Sequence, residues 1–576
     1  MRRWGIMPTP RPYKLLCVAL LALTIGVSVY RMAQNAWLAS VTGDENIHIT
    51  AGWVKWQQNR FSMGAYQPPL GQLLLTMPGP WQPKVTIPIG DESYRDNAWE
   101  KFSDVFMYQA GNPTHKLLRS ARLHALLITV LFLLGFTVFL LRRFDWVPAL
   151  LGSVWLWLNP MILAHGAAAR MDMIAMAFYA LAVILILRYF HKPSHRNLLL
   201  LAFGFALAQL TKSHAWALWP VLALFSWRSP WRPRVPRRML WGAVIGVWLL
   251  LTWLVYGFEF KPLLDDVPAR ADKIAFIEHK LGAVPGLEQA ILQFATDVPI
   301  PAKSYWLTFP NTLLRTAAHQ ATSDIHDWRD LRFWEFYPVL FVIKNTLTGL
   351  LLLGFGCLGL LLAWRATDPW QRGFFIAYAL LLLLIMANGT HSGLQHLLPL
   401  YPALALIVAW GFQRWLILAP RPAIQFCLLI LVLGASLLEL APVGWDTLAF
   451  FNVVAGGPRL GFVHSDRLDY PYSLSASDAN YEWGQHLGDL QQTLSQLKVP
   501  SIYIRAQTAY DYRQELALRH IDAAVEPNVA APFSGAPRYL YLAGGEWLKL
   551  PWCARHTPVA SVGFNGRIYK VGQGLE

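Results

Sequence analysis

Charge is what this sequence has least of. Asp, Glu, Lys and Arg make up 14% of the chain's 576 residues, against 55% hydrophobic residues. A soluble globule carries roughly 25% charged residues, so an ordinary soluble domain is excluded. Cysteine is scarce too: of 4, Cys17, Cys357 and Cys427 lie in apolar runs and Cys553 stands alone. That pattern excludes a disulfide framework and a thiolate metal site. No internal repeat and no low-complexity tract is evident. No small-x-small cleavage site follows the first apolar run, so residues 1–39 are expected to be a retained anchor.

Long apolar runs fill the chain. Leu15–Tyr30, Leu123–Leu141, Val147–Leu163, Met173–Tyr189, Leu240–Tyr256, Leu347–Leu362, Phe374–Ala387, Leu397–Phe412 and Ile424–Leu440 approach or reach the roughly 20 residues that span a bilayer as helix. Leu198–Trp227 is broken by Thr211-Lys212-Ser213-His214 and reads as two short helices, which gives about 11 spans. The net charge of +15 raises the question of nucleic acid. Its placement answers it. Arg2, Arg3, Arg11 and Lys14, then Arg142 and Arg143, Arg188, Lys192 and Arg196, Arg228–Arg238, Arg365 and Arg372, and Arg414 and Arg421 all fall on one side of that topology. This is the positive-inside signal; it puts the N-terminus in the cytoplasm and the C-terminal tail outside.

Three segments lie outside the membrane in this topology: loop 31–118, loop 257–336 and the tail 442–576. In the second loop, Asp265–Leu281 is amphipathic and suited to the interface. The tail is polar, with strand-like runs at Ser501–Arg505, Arg538–Leu542 and Arg567–Val571 and a helix-period stretch over Tyr481–Leu497. The expected architecture is therefore an all-α polytopic membrane domain, 1–441, with a small exoplasmic α/β domain, 442–576.

In so acid-poor a chain, the adjacent Asp44 and Glu45 just beyond the first span stand out. Thr42-x-x-Glu45 fits a capping box, so local pattern alone favours a helix start over Glu45–Gln58. Asp44 and His48 share a helix face, but the loop lacks the clustered carboxylates that hold a divalent ion tightly. Trp53, Trp56, Trp81 and Trp99 in the same loop suit a bilayer interface.

Around that pair, Gly43-Asp44-Glu45-Asn46-Ile47-His48…Gly52, followed by Tyr66-Gln67-Pro68-Pro69-Leu70-Gly71, resembles the opening of the dolichyl-phosphate-mannose protein mannosyltransferase superfamily. Further resemblances follow in order: Arg119 and Arg122, Leu158-Asn159-Pro160…Ala164-His165…Arg170-Met171-Asp172, Leu210-Thr211-Lys212 and Tyr337–Lys344. Gly393–Pro402, Phe451–Pro458 and Glu482–Gln485 complete the set, the last two resembling the bacterial branch. Gln67 and Gln395 depart from the family's His and Arg.

The resemblance implies a C-type glycosyltransferase fold in the inner membrane. It also implies inverting transfer of a hexosyl unit, mannose by default, from a polyprenyl-phosphate donor to a protein, lipid or glycan acceptor outside the cytoplasm. No metal or other cofactor and no nucleic acid is implied. Asp44 is the expected base, with Glu45 second. Arg122, Lys212, Lys344 and His396 are the expected phosphate-binding cations, and His48, Arg170 and Asp172 support the site. Two alternatives stand beside this. A transporter or flippase would show two related halves with broken helices, and none is evident. An inactive glycan- or lipid-binding relative would keep the fold and lose the chemistry.

Overall fold

The computed structural model describes residues 11–79, 82–228, 236–265, 267, 271, 274–275, 278–279, 285–308, 310–312, 331–387, 393–418, 421–458, 484–505, 512–525, 538–543, 547, 550–564 and 566–572. The chain runs as α1 (Arg11–Leu38), α2 (Glu45–Gln58), α3 (Leu70–Leu75), α4 (Glu92–Arg95), α5 (Trp99–Asp104) and α6 (Thr114–Arg143). Next come α7 (Trp146–Trp157), α8 (Pro160–His165), α9 (Asp172–His191), α10 (His195–Gln209), α11 (Leu218–Arg228) and α12 (Arg237–Val255). A ribbon of β1 (Phe260–Pro262) and β2 (Pro299–Pro301) encloses α13 (Pro285–Asp297). Then follow α14 (Leu331–Lys344), α15 (Leu347–Leu362), α16 (Pro369–Ala387), α17 (Tyr401–Leu418) and α18 (Pro422–Leu440).

Among the described residues, six helices are long and apolar enough to cross a membrane, and a seventh span results if the bent pair Trp334–Lys344 and Leu347–Leu362 is counted. This is a multi-pass membrane architecture. The expected span Val147–Leu163 is instead two pieces: α7 stops at Trp157, and Asn159 caps α8 by accepting from Met161 N (3.0 Å). Leu198–Trp227 breaks at Leu210–Ser213, as its polar insert requires. Between α14 and α15 the chain turns by 117°. Thr346 caps the new helix, and Glu439 of α18 accepts from Leu347 N and Thr348 N at 2.5 and 2.8 Å. A carboxylate there faces the positive end of the helix dipole.

Helix α7 is buried on every side from Val147 to Trp157, at the centre of the membrane half. Helices α15 and α17 touch backbone to backbone: a Cβ on Gly411 would come within 2.1 Å of Gly356 O. Small residues permit that approach, as lipid-embedded helix pairs require.

The tail holds α19 (Leu487–Leu497), β3 (Ser501–Arg505), α20 (Tyr512–Leu518), β4 (Asp522–Val525), β5 (Arg538–Leu542), β6 (Ala560–Val562) and β7 (Gly566–Val571). The sheet order is β4-β3-β5-β7-β6, parallel across the first three strands and antiparallel across the last three. Residues 481–483, which include the Glu482-Trp483 motif, and most of Asp265–Leu281 lie outside the described residues.

Candidate active site

Segment 39–45 is the corner between α1 and α2, and most of it is buried. Glu45 is fully buried; its carboxylate accepts from Arg122 Nε and Nη2 (2.9 and 2.6 Å), Thr42 N and Oγ1 (2.8 and 2.9 Å) and Ala169 N (2.8 Å). Burial alone would raise that carboxyl. The Arg122 guanidinium beside it and the hydrogen bonds from Ala169 and Thr42 win, and hold it down at about 2. Arg122 completes the clamp from α6 by donating Nη1 to Ala36 O and Ala39 O, and Nη2 to Ser40 O.

Asp44 is the exposed residue of this corner. It stands at the N-cap of α2 in the left-handed region (φ 68°), which Asp tolerates better than most residues, and its side chain is 48% exposed beside the fully buried Glu45. Arg170 faces it, with Nη1 4.0 Å from Asp44 Oδ2 and Nη2 donating to Gly43 O. A left-handed non-glycine corner costs on the order of 1 kcal/mol or more and persists only where the surroundings over-determine it. The Glu45–Arg122 clamp and Arg170 supply that constraint.

Beyond Arg170, at the start of α9, Asp172 pairs with Lys212 (2.5 Å), and both are buried. Lys212 sits in the break between α10 and α11, where no continuing helix competes for the backbone. His214 and His396 lie ring to ring, with centroids 5.9 Å apart. His165, Lys212 and His396 are all within electrostatic reach of Asp172. His48, buried on α2, feels Asp44, Arg170, Asp172 and Lys212 together, and burial pushes its imidazole down to about 4. Its ring is therefore neutral at pH 7, with Nδ1 3.4 Å from Gln72 Nε2. Gln67 bridges the two halves of the site by accepting from Ser213 N (3.1 Å), next to Lys212.

Two of the expected phosphate ligands have other work. Arg122 already donates to Glu45 and three carbonyls. Lys344 is fully buried, donates to Leu448 O (2.7 Å) and lies 4.2 Å from the centroid of the Phe451 ring. Arg122, with every N–H engaged, reaches a ligand only by giving up one of these partners. Glu45 is likewise held on both carboxylate oxygens. The structure thus brings Asp44, Arg170, His48, Asp172, Lys212 and His396 into one region, with Glu45 and Arg122 bound to each other beside it and Lys344 within electrostatic reach of His165.

Sequence reasoning missed a second polar constellation. His486 lies between two carboxylates, Nε2 at 2.8 Å from Asp446 Oδ2 and Nδ1 at 2.7 Å from Asp489 Oδ2. It joins the start of the tail to α19. Beside it, Gln485 O accepts from Ser40 N (3.0 Å) and Gly488 N donates to Ser40 Oγ (3.0 Å). A small cavity lined by Asn35, Thr42, Arg122, Asp446, Leu448 and Gln485 lies at this junction.

Lys55, also on α2, is buried with Nζ donating to Met63 O (2.6 Å). Burial lowers its ammonium from 10.5 to about 7. Between those values the unfolded chain binds more protons than the folded one, so this group makes stability rise with pH across that window. Lys55→Met removes the ammonium, and the rise in detergent melting temperature from pH 7 to pH 10 should be shallower in the variant. Parallel slopes would mean that Lys55 keeps its charge in the fold.

Among the described residues, no three His, Cys, Asp or Glu side chains group as metal ligands do. No family model and no curated relative matches the sequence. Among solved structures, the chain is similar to ArnT from Cupriavidus metallidurans in the apo state, at 14% identity over 97% of this chain and 98% of that one, with a TM-score of 0.38. The same protein bound to undecaprenyl phosphate gives 13% identity, 98% coverage of both chains and a TM-score of 0.40. At that level of likeness nothing about this chain's chemistry follows, and its function has to be read from its own residues.

Proposed function

We propose that this chain is an inverting glycosyltransferase of the dolichyl-phosphate-mannose protein mannosyltransferase superfamily. It moves a hexosyl unit, mannose in the simplest case, from a polyprenyl-phosphate sugar to an exoplasmic acceptor hydroxyl or amine. The observation that carries the reading is Asp44: an exposed carboxylate at a left-handed corner, 4.0 Å from Arg170 and linked through the field at His48 to the buried Asp172–Lys212 pair.

As the acceptor oxygen or nitrogen attacks the sugar C1, Asp44 takes its proton; the bond from C1 to the phosphate oxygen breaks, and that electron pair leaves with the polyprenyl phosphate. The leaving phosphate gains negative charge, which Lys212 and His396 stabilise. Asp172, paired to Lys212 at 2.5 Å, fixes where that ammonium points. Arg170 orients the base, and the neutral His48 ring packs behind it. The charge is met by side chains and no metal is required. The acceptor stands as protein, lipid or glycan, since each presents its nucleophile to the same carboxylate.

The test is release or transfer of labelled sugar from polyprenyl-phosphate donors by the purified full-length chain in lipid. Turnover that survives EDTA is expected. Lys212→Met combined with Asp172→Asn, which removes both charges of the buried pair, should lower kcat by about 10²- to 10³-fold, as loss of one transition-state donor does. No turnover with any polyprenyl-phosphate sugar, or turnover only with added Mn²⁺, defeats the reading.

A further inference from the structure

Helix α13 has three faces. Glu288, Leu292, Ala295 and Thr296 turn inward, and Ala295 O accepts from Leu264 N (2.9 Å). Gln289, Gln293 and Asp297 form an exposed polar stripe. The remaining face is apolar yet uncovered: Leu287, Ile291 and Phe294 are 49, 37 and 48% exposed, and Val298 just beyond is 40% exposed. At 3.6 residues per turn these four side chains fall within an arc of about 60°. A face of this kind in water would invite aggregation.

Its position in the chain identifies what covers it. Trp253, on the last turn of α12, donates Nε1 to Glu259 O (3.1 Å), and Ala302 N donates to the same carbonyl (2.8 Å). The β1–β2 ribbon is thereby fastened to the end of a membrane-spanning helix, and α13 runs into β2 after only Val298. The exposed apolar side chains of the span, Leu249, Leu250 and Leu254, are followed along the chain by Phe258 and Phe260, which are 56 and 57% exposed. Trp253 and Phe258 stack edge to face at 5.3 Å, an aromatic pair at the end of the apolar helix, where interfacial anchors collect.

We propose that α13 lies in the outer leaflet with Leu287, Ile291, Phe294 and Val298 buried among lipid acyl chains and Gln289, Gln293 and Asp297 toward water. The helix carries no Lys or Arg, so the attachment is apolar and independent of anionic headgroups. Just beyond β2, Asn311 and Thr312 donate to Ala65 O and Tyr66 O (3.4 and 2.6 Å), beside the Gln67 turn that rests on Ser213. The lipid surface thus reaches the edge of the candidate active site through one short connection. This proposal rests on the multi-pass architecture and not on the transfer reaction.

The full-length chain, with Cys357 and Cys427 replaced by Ala, would carry Ile291→Cys, Phe294→Cys or Gln293→Cys labelled with NBD in phosphatidylcholine vesicles. Spin-labelled lipid is expected to quench the label at 291 and 294 about threefold more than at 293, with a blue-shifted emission at the first two and no change when anionic lipid is added. Equal, weak quenching at all three positions overturns the proposal. So does dilution-sensitive cross-linking between copies through Ile291→Cys, which would make a second copy the occupant. Folding failure in one labelled variant does not decide the matter, because 291 and 294 report on the same face independently. Sugar transfer does not enter the readout.

Discussion

Asp44→Asn is expected to lower sugar transfer by about 10²- to 10⁴-fold, the usual contribution of a positioned general base. Donor KM should stay within about twofold, because the phosphate contacts proposed for Lys212 and His396 are untouched. The substitution isolates the chemistry well. Asn accepts the left-handed backbone at φ 68° as readily as Asp, and the buried Arg170, 4.0 Å from the half-exposed carboxylate, keeps its bond to Gly43 O when that charge goes. The melting temperature should therefore hold while turnover collapses. Single-turnover transfer of labelled sugar checks this, and a rate within twofold of the wild type removes Asp44 as the base.

Glu45→Gln, one residue on, should fail in a different way. The amide matches the carboxylate in shape but places an NH₂ against Arg122 and Thr42, both donors, and leaves the guanidinium buried without its counter-ion. Breaking one side of such a pair costs about 3–5 kcal/mol, so the variant should be poorly folded rather than slow. Arg122→Met should behave alike, and the double variant should recover part of the loss. The pair also fixes an acid limit. Glu45 sits at about 2 in the fold against 4.5 ordinarily, so its contribution is complete above pH 4.5 and disappears as pH falls toward 2. Detergent melts across that window should decline less in Glu45→Gln than in the wild type. If Arg122→Met stayed fully folded and only raised donor KM, Arg122 would be a phosphate ligand after all.

The sequence made the membrane class legible, because hydropathy and basic-loop placement are local and survive without coordinates. The break at Thr211–His214 is equally plain, since four polar residues cannot continue an apolar span. The split at Asn159 was harder to see: Val147–Leu163 has the composition of one span, and only the Asn-Pro step marks the cap. In the site, residue types were readable and partnerships were not. Arg122 carries the same charge whether it meets phosphate or Glu45, and the Glu45 pairing closes over 77 residues. Nothing in the local sequence marks Lys55 as buried, because its burial depends on Met63 and the surrounding loop. Asp446, His486 and Asp489 gave no signal at all, since Asp446 and His486 stand 40 residues apart in sequence.

Ser40 is tethered from both sides of the molecule: Arg122 of the membrane half holds its carbonyl, while Gln485 and Gly488 of the tail hold its amide and hydroxyl. Four residues later comes Asp44. The tail is consequently not an interchangeable accessory that evolution or an engineer can exchange as a cassette. A graft that supplied a new sheet without groups to grip Ser40 would slacken the very corner that aims the carboxylate. Inheritance of the two halves should therefore be coupled, with changes at 485–488 answered by changes at 39–45.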